Sequence, residues 1–534
     1  MGTAFLYAEL ELPYVVIVTA PQVFVDAGIC EKGEMWLVHK AIYGLREAPR
    51  AWADHRDKFL RYLQIVSKGM LHRLEKSITD PSVWIITRRP SSLLAAKLKG
   101  YKMPRLVRVL IAQFVGNETV GLVLTYVDDI LVMSEKNLGK TVMKLVGDRW
   151  KCTKPAVLSE DKQITFCSVR MTAVFGGRDI LLDQEAYTID MIERRKITNA
   201  NKAPIQPDEC ASVQSTNLEG MTPKEISKLE VVLEAQSLIG EVNWLANKTR
   251  MDIAYAAHRA ASLCVKEPER SSKISKGIMR YLKGTCDVGI LVMSKEGLKS
   301  RKEILEKELD EIPPSIAFDP EAVVVFTDAS FGDASYTGFV ITIGGTPVVW
   351  KACKQKLVSM STAETEIIAA VEGTQHVQGI MVFIAEVFPE KKWKLILAVD
   401  NMAAVSIANP NAGTPWRTRH LRKRAQLIHQ MQELLGLVVI HLAGLVQLGD
   451  LFTKALGFVR LKLLRRLVSM EALTWCRSQE EDFRNREPEL CTTQEPLQNP
   501  YGNLKKTRQV GKMLKEKSVR MILSDLSEAG SVEV

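Results

Sequence analysis

Two adjacent aspartates between two apolar segments could hold metal ions. Asp128 and Asp129 separate residues 120–127 from residues 130–133, and both flanking segments have strand character. This pattern predicts a tight hairpin turn at which both carboxylates face one site. Neighbouring carboxylates repel each other unless cations lie between them, so a pair of Mg²⁺ ions suits this turn and could support phosphoryl transfer. The alternative is an ordinary solvated Asp-Asp turn.

Four further acids occupy the ends or starts of predicted elements in the second half of the chain. Asp328 and Asp400 each end a predicted strand, Glu366 lies in a long predicted helix, and Asp450 opens the last helix. Acids in such positions can converge on one edge of an open α/β sheet. For each acid alone, a helix cap or a solvated turn is the commoner explanation, and Asp400 and Asp450 could each simply cap a helix.

The elements around these four acids have a simple order. Strands are predicted at 323–327, 338–343, 346–351, 395–399 and 437–442, with a long helix at 361–387 and further helices after the last two strands. Three consecutive strands followed by alternation with helices describe a compact α/β domain. We place this domain at residues 321–466.

The rest of the chain divides by composition and periodicity. Residues 1–150 are predicted to be mixed α/β, with a further strand at 106–114 and a turn at 116–117. Residues 151–294 are predicted to be largely helical after Gln184, for example at 225–247 and 268–282. Residues 295–320 form a charged, exposed linker helix closed by two prolines. Residues 467–534 are expected to be a mostly disordered tail, with a basic helix at 504–523 as an option. The predicted fold class is therefore α/β and α+β, multidomain.

Composition narrows the function classes. The 534 residues are 46% hydrophobic and 25% charged, which excludes collagen-like, mostly disordered and small disulfide-stapled proteins. A net charge of +10 and an isoelectric point near 9.0 make a polyanion the first partner to consider. The nine cysteines are scattered without a CxxC pair, which indicates reduced thiols. No signal peptide and no membrane-spanning segment are predicted, so we expect an intracellular chain, in a cytoplasmic particle or the nucleus, without a membrane partner.

Several motifs together carry a family resemblance. The segment Tyr-Val-Asp-Asp at 126–129 resembles the catalytic loop of reverse transcriptases, and residues 40–52 resemble a signature of copia-type LTR retrotransposon polymerases, with Glu47 where the family usually has Gln. Further similar segments lie at 3–6, 80–84, 249–255 and 280–285, in the family's order. The chain is thus similar to a copia-type Pol polyprotein, with a reverse-transcriptase palm at 1–150 and a thumb or connection at 151–294.

For the first domain, the resemblance implies a polymerase site. Asp128 and Asp129 would be catalytic metal ligands, and the nucleotide and template pocket would include Phe5, Tyr43, Gly44 and Tyr126. A buried core role for Phe5 has equal weight. The family's first catalytic aspartate would fall immediately before Met1, and its fingers strands would precede it. We therefore expect an N-terminally truncated palm, with RNA-directed DNA polymerase activity in the parent element and lost in this chain.

For residues 321–466, the resemblance is to a retroviral-type ribonuclease H domain. It implies that Asp328, Glu366, Asp400 and Asp450 hold two Mg²⁺ ions, with Mn²⁺ as a substitute. Glu366 is preferred to Glu364 because Ile-Ile-Ala-Ala follows it, and the two acids lie about 200° apart around a helix. His441 could assist product release or be structural.

Basic residues near both sites could contact nucleic acid, with a solvated surface as the alternative. In the first domain these are Arg46 and Arg50. In the second, the candidates lie on one predicted helix: Arg417, Arg419, Arg422, Lys423 and Arg424.

The sequence thus predicts a Pol fragment that cleaves the RNA strand of RNA/DNA hybrids. The rival is a decayed or domesticated remnant that binds nucleic acid without catalysis. A second Pol chain is left open as a partner.

Overall fold

The computed structural model describes residues 4–88, 118–206, 220–309, 313–332, 334–409, 419–490 and 531–533. The predicted strand at 106–114, the turn at 116–117, the basic helix at 504–523 and Arg417 lie outside these ranges, as does the side chain of Arg419. The chain divides into two compact units. Unit 1 comprises 1–158, 386–389 and 523–534, and unit 2 comprises 159–385 and 390–522.

Unit 1 is built on an antiparallel sheet. Its elements are β1 (Ile17–Thr19), α1 (Gln22–Asp26), β2 (Met35–Leu37), α2 (Ala48–Tyr62), β3 (Gln64–Ser67), β4 (Met70–Lys76), β5 (Val83–Arg88), β6 (Glu118–Tyr126), β7 (Asp129–Ser134), α3 (Lys136–Arg149) and β18 (Ser531–Glu533), with a 3₁₀ turn at Ala4–Tyr7. The strands of the sheet run in the order β18-β7-β6-β5-β4-β3, and β1 pairs with β2 apart from it.

The core of unit 1 lies between the sheet and helices α2 and α3. Trp52, Trp84 and Trp150 are almost fully buried there, together with Val123 and Val132 on the central strands. The strands β6 and β7 form the hairpin predicted around Asp128, and Val123, Ile130 and Val132 of these strands are buried in this core.

The first half of unit 2 joins a five-stranded antiparallel sheet to a group of helices, and the edge strand at Met470–Ala472 comes from later in the chain. Its elements are β8 (Ile164–Phe166), β9 (Val169–Val174), β10 (Asp179–Asp183), α4 (Glu185–Arg194), α5 (Pro223–Ile226), α6 (Glu230–Ala246), α7 (Ala254–Leu263), α8 (Pro268–Lys283), β11 (Val288–Val292) and α9 (Lys295–Glu308), with a 3₁₀ turn at Met251–Ile253. The helices α4 to α8 agree with the prediction that the chain is largely helical after Gln184.

The second half of unit 2 has the predicted α/β arrangement. Its elements are β12 (Ala322–Ser330), β13 (Tyr336–Ile343), β14 (Thr346–Lys354), α10 (Thr362–Val387), β15 (Lys394–Val399), α11 (Met402–Ala408), α12 (Arg419–Arg424), α13 (Gln426–Leu435), β16 (Val438–His441), α14 (Phe458–Leu467), β17 (Met470–Ala472) and α15 (Leu473–Leu490), with 3₁₀ turns at Ser315–Phe318, Gly444–Val446 and Leu448–Phe452. The sheet order is β14-β13-β12-β15-β16, in which β12 pairs antiparallel with β13 and parallel with β15. The predicted fold class, α/β and α+β, multidomain, is confirmed: the structure is mixed α/β with several sheets.

Helix α10 crosses the sheet at close range. A Cβ atom on Gly373 would lie 2.8 Å from side-chain atoms of both Val325 and Thr327, so only glycine allows this approach. By length and composition alone, α10 also meets the requirements of a membrane-spanning helix. Its buried residues, including Ile367 and Ala370, fit equally the core helix of an α/β domain.

The prediction that residues 295–320 form an exposed linker is wrong about exposure. Residues 295–308 form α9, but Leu298 and Leu305 are buried in the core of unit 2. Arg301 is also buried, and its Nη2 donates to Glu471 Oε2 at 2.5 Å. Because one face of α9 is buried and Arg301 on that face pairs with a residue 170 positions away, the charge-rich composition did not mean that the whole helix is exposed.

The predicted disordered tail is also wrong for its first residues. Residues 470–472 form β17, which pairs with β11, and Cys476 at the start of α15 is fully buried. One continuous core runs from Val174 to Cys476. The regions predicted as a connection and as a nuclease-like domain therefore share one hydrophobic core.

Candidate functional site: a buried acid cluster

Three aspartates of unit 2 converge at one edge of its parallel strands. Asp328 lies near the end of β12 and Asp400 directly follows β15, and these neighbouring strands run parallel in register, with Thr327 opposite Val399. Asp450 comes from the 3₁₀ turn at Leu448–Phe452. Carboxylate oxygens of the three aspartates all lie within 4.8 Å of one another. Among the described residues, this is the one group of three acidic, His or Cys side chains with such spacing.

A glycine and a glutamine bring Asp450 to the other two acids. A Cβ atom on Gly449 would lie 2.6 Å from the backbone nitrogen and Cβ of Asp328, so the turn approaches β12 as closely as only glycine permits. Gln447 accepts a hydrogen bond from the Gly449 N–H and donates one to the Ala398 carbonyl on β15. The turn is thereby fixed to both strands that carry the other aspartates.

Glu366 completes the acidic cluster from the side of α10. Its Oε1 accepts a hydrogen bond from the Ala329 N–H at 3.2 Å, and its Oε2 has no hydrogen-bond partner although it is buried. Glu364 is used differently: it accepts from the Met360 N–H at 2.8 Å and lies 3.3 Å from Arg424. The structure thus directs Glu366, and not Glu364, towards Asp328.

The environment of the acids disfavours their charged forms. Burial, and then the charge of Asp450, raises the pKa of Asp328 to about 7. Burial, and then the charges of Asp328 and Asp400, raises the pKa of Glu366 to about 9. Burial also raises the pKa of Asp400. Such crowding of carboxylates in a protein interior is typical of sites that bind a cation.

Three side chains that sequence reasoning missed contact the aspartates. Thr453 donates to Asp328, and Lys454 Nζ lies 3.2 Å from Asp328 Oδ1 and 2.5 Å from Asp450 Oδ1. Arg460, on α14, donates to Asp450 Oδ2 at 2.5 Å and to the carbonyls of the turn at Gly444–Val446. The segment Gly-Asp-Leu-Phe-Thr-Lys at 449–454 places Thr453 and Lys454 close to Asp450 in the sequence, whereas no local signal identified Arg460.

The structure places His441 beside the acid cluster and several of the predicted basic residues on α12. His441 donates from Nε2 to the backbone carbonyl of Asp400 at 3.0 Å. Arg422 and Lys423 are exposed on α12, and Arg424 pairs with Glu364.

The donor set of the acid cluster consists of carboxylates around a buried, unpartnered oxygen, which fits Mg²⁺ or Mn²⁺.

In unit 1, the aspartates of the β6–β7 hairpin lie in a different setting. Asp128 is half-buried in the two-residue turn and Asp129 is exposed; Val127, in the turn, has φ +50°. Trp52 Nε1, from α2, donates to the Val127 carbonyl at 2.6 Å. The Trp at the end of the 40–52 signature thus supports the turn.

The predicted pocket residues of unit 1 are partly assembled. The rings of Phe5 and Tyr43 have centroids 4.7 Å apart, with Phe5 buried and Tyr43 exposed. Tyr126 is exposed at the end of β6, and Gly44 has φ +95°. The predicted phosphate contacts Arg46 and Arg50 are both exposed.

Comparisons with known proteins give relatives of one kind. No protein-family model matches the chain. The chain is 24% identical over 476 residues to the retrovirus-related Pol polyprotein from transposon TNT 1-94 of Nicotiana tabacum, a match that covers 88% of this chain and 30% of that protein. It is 24% identical over 440 residues to the Pol polyprotein from transposon RE2 of Arabidopsis thaliana, covering 81% of this chain and 25% of that protein. It is 24% identical over 353 residues to the transposon Ty1-MR1 Gag-Pol polyprotein of Saccharomyces cerevisiae, covering 64% of this chain and 18% of that protein.

Solved structures with a local likeness are ribonucleases H1. They include RNase H1 from Halobacterium salinarum NRC-1, at 11% identity, and LC11-RNase H1 in complex with an RNA/DNA hybrid, at 15% identity. Each match covers 23% of this chain and 86% of the other, with a TM-score of 0.19. The chain spans 30% or less of the length of the Pol relatives named above. The motif resemblance is confirmed by these relatives: the homologues of this chain are retrotransposon Pol polyproteins, from plant copia-type elements and from yeast Ty1.

Proposed function

We propose that unit 2 is a ribonuclease H that cleaves the RNA strand of RNA/DNA hybrids with the help of Mg²⁺. The observation that carries this proposal is the convergence of Asp328, Asp400 and Asp450 within 4.8 Å, beside the unpartnered Glu366 Oε2. The homology to Pol polyproteins supports a nucleic-acid substrate.

The acids would act together as ligands for two divalent ions. When bound, such ions supply a water of lowered pKa and neutralise the charge of a departing 3′-oxygen. Asp328 and Asp400 are held by neighbouring parallel strands, so their separation is set by the sheet and not by flexible loops. Glu366 keeps one oxygen on the Ala329 N–H, which leaves its other oxygen for the site.

The surrounding side chains orient the acids. Thr453 donates to Asp328, and Arg460 holds Asp450 Oδ2 while it is itself bonded to two backbone carbonyls. The exposed Arg422 and Lys423 on α12 add positive charge that suits the phosphates of a hybrid. RNA-directed DNA synthesis is proposed for the parent element.

The test is cleavage of an end-labelled RNA/DNA hybrid by the purified chain in Mg²⁺. The D328N/D400N variant should lose activity by at least about a hundredfold, because two ligands of the site are replaced by neutral amides. A matched control, D148N/D161N, removes two exposed aspartates and should cleave like the wild type. Wild-type inactivity in a folded sample, or equal activity of D328N/D400N, would overturn the proposal.

A second candidate is a binding protein without nuclease activity. Lys454 and Arg460 already neutralise Asp328 and Asp450, so the acid cluster can be stable as a purely structural ion-pair network. Hybrid binding that weakens with salt, together with absent cleavage, would identify this function.

A further inference from the structure

Lys454 reaches into the acid cluster from the solvent side. Its side chain is 41% exposed, whereas the side chains of Asp328 and Asp450 are 1% and 6% exposed. The ammonium lies 3.2 Å from Asp328 Oδ1 and 2.5 Å from Asp450 Oδ1, so it bridges two of the three aspartates that converge. Lys454 therefore contacts the oxygens that a divalent ion would use.

A second cation at the cluster is held quite differently. Arg460 binds the other oxygen of Asp450, Oδ2, and its guanidinium also donates to the carbonyls of Gly444 and Leu445. In the described structure, the hydrogen bonds of the Lys454 ammonium go to Asp328 and Asp450. Arg460 is thus anchored by backbone contacts, whereas Lys454 is held by the acids and carried on a flexible four-carbon stem.

Buried carboxylates at this spacing remain together only when a cation or a bound proton offsets their charge. When they are ionised and no cation is present, they repel each other and favour opening of the site. An ammonium and a divalent ion cannot occupy the same carboxylate oxygens at once, because both need these electron pairs at contact distance.

We propose that Lys454 is an internal counter-ion that occupies the cation position of the acid cluster and withdraws towards solvent when a divalent ion binds. It stabilises the metal-free fold and lowers the apparent affinity for metal, since an ion must first displace it. This inference rests on the proposed function, because it takes the cluster to be a metal site. Lys454 is in this view a positioning residue that makes the site dependent on the concentration of free metal.

The first test compares Mn²⁺ binding, measured by the electron paramagnetic resonance of free Mn²⁺, in the wild type and in K454M. Methionine keeps the length of the side chain and removes its charge. If Lys454 occupies the site nine-tenths of the time, K454M should bind Mn²⁺ about tenfold more tightly. Without metal, the variant should melt at a lower temperature than the wild type, and Mn²⁺ should raise its melting temperature by more.

Two further variants separate charge from substitution. K454R keeps a positive charge and should retain the weaker binding of Mn²⁺. K462M removes the charge of an exposed lysine on α14 and should match the wild type in both measurements. Equal Mn²⁺ affinity of the wild type and K454M would overturn the inference and leave the metal site intact.

The failure of the proposed function would look different. If neither the wild type nor K454M binds Mn²⁺, or if binding persists unchanged in D328N/D400N, the cluster is not the metal site and the proposed nuclease falls with it.

A second measurement uses only the wild-type chain. An amine-acetylating reagent, with mass spectrometry of the peptides, reports how accessible each lysine is. Mg²⁺ should increase the labelling of Lys454 and leave that of Lys462 unchanged. Labelling of Lys454 that stays constant across the Mg²⁺ titration would also overturn the inference.

Discussion

The hairpin aspartates of unit 1 and the acid cluster of unit 2 differ in how far the fold buries their carboxylates. In unit 1, Asp129 is exposed at a hairpin turn and Asp128 is half-buried, so water can solvate much of their charge. In unit 2, Asp328, Glu366 and Asp450 are each less than 10% exposed and come from three separate elements. Adjacent residues reach one place by chain connectivity alone, whereas distant ones must be brought there by a packed core. Burying several carboxylates together costs more free energy than leaving two of them at a solvated turn. The buried cluster of unit 2 is therefore the stronger indication of a functional site.

The sharpest way to break this comparison is to neutralise each pair in turn. D328N/D400N should abolish hybrid cleavage, by at least about a hundredfold, while D128N/D129N should leave it within about twofold of the wild type. Initial rates on the same labelled hybrid provide the measurement. A comparable loss in both variants would mean that the hairpin takes part in the nuclease reaction.

The next prediction concerns the support of the hairpin. Trp52 is 1% exposed and donates to the Val127 carbonyl, so W52A removes a buried ring and one of the hydrogen bonds to the turn. We expect unit 1 to lose about 3–5 kcal/mol of stability. Amide hydrogen exchange of the β6–β7 peptides should show this loss, while peptides of β12 and β15 keep their protection.

Trp36 offers a matched control in the same unit. It is only half-buried, so W36A should change the exchange of β6 and β7 far less than W52A. Equal effects of the two variants would show that Trp52 has no special role at the turn.

The pH dependence of stability should also separate the sites. The pKa values of Asp328 and Glu366 in the folded chain, about 7 and about 9, exceed the ordinary values of 3.8 and 4.5. The folded state therefore holds protons that the unfolded state releases, and the metal-free fold loses stability as the pH rises from about 4 through about 9. Melting temperatures measured without metal should decline over this range.

Variants identify which groups cause the decline. E366Q removes one titrating group of the cluster and should flatten the curve, so that it melts higher than the wild type at pH 8. D129N, which changes an exposed aspartate outside the cluster, serves as the matched control. A wild-type melting temperature that rises from pH 5 to pH 8 would contradict the burial of these acids.

The smallest effect is expected at an exposed ion pair of unit 1. Arg50 Nε lies 3.8 Å from Asp54, and the two side chains are 90% and 77% exposed. R50A should therefore keep the melting temperature within about 2 °C of the wild type. If Arg50 contacts phosphate, the same variant should weaken hybrid binding at low salt, which filter binding can measure.

The sequence predicted the parts of the site that depend on local pattern. The five strands and the long helix of the acid-bearing domain lie within a few residues of their predicted bounds, because the central strands are continuous apolar runs and the helix is a long apolar segment. Lys454 and Arg460 could not be assigned roles, since the reach of a long side chain depends on tertiary packing. Arg301 shows the same limit, as its buried partner Glu471 lies 170 residues away.

The pairing of β17 with β11 has a consequence for biosynthesis. β11 ends at Val292, but its partner strand begins only at Met470, beyond the whole acid-bearing domain. At a translation rate of about 5–20 residues per second, the edge of β11 that pairs with β17 stays unpaired for roughly ten to forty seconds. During that interval an apolar strand edge is open to other chains, which is a hazard for aggregation. Release from the ribosome before Met470 would leave this sheet unfinished, so complete synthesis acts as a checkpoint for the fold of unit 2.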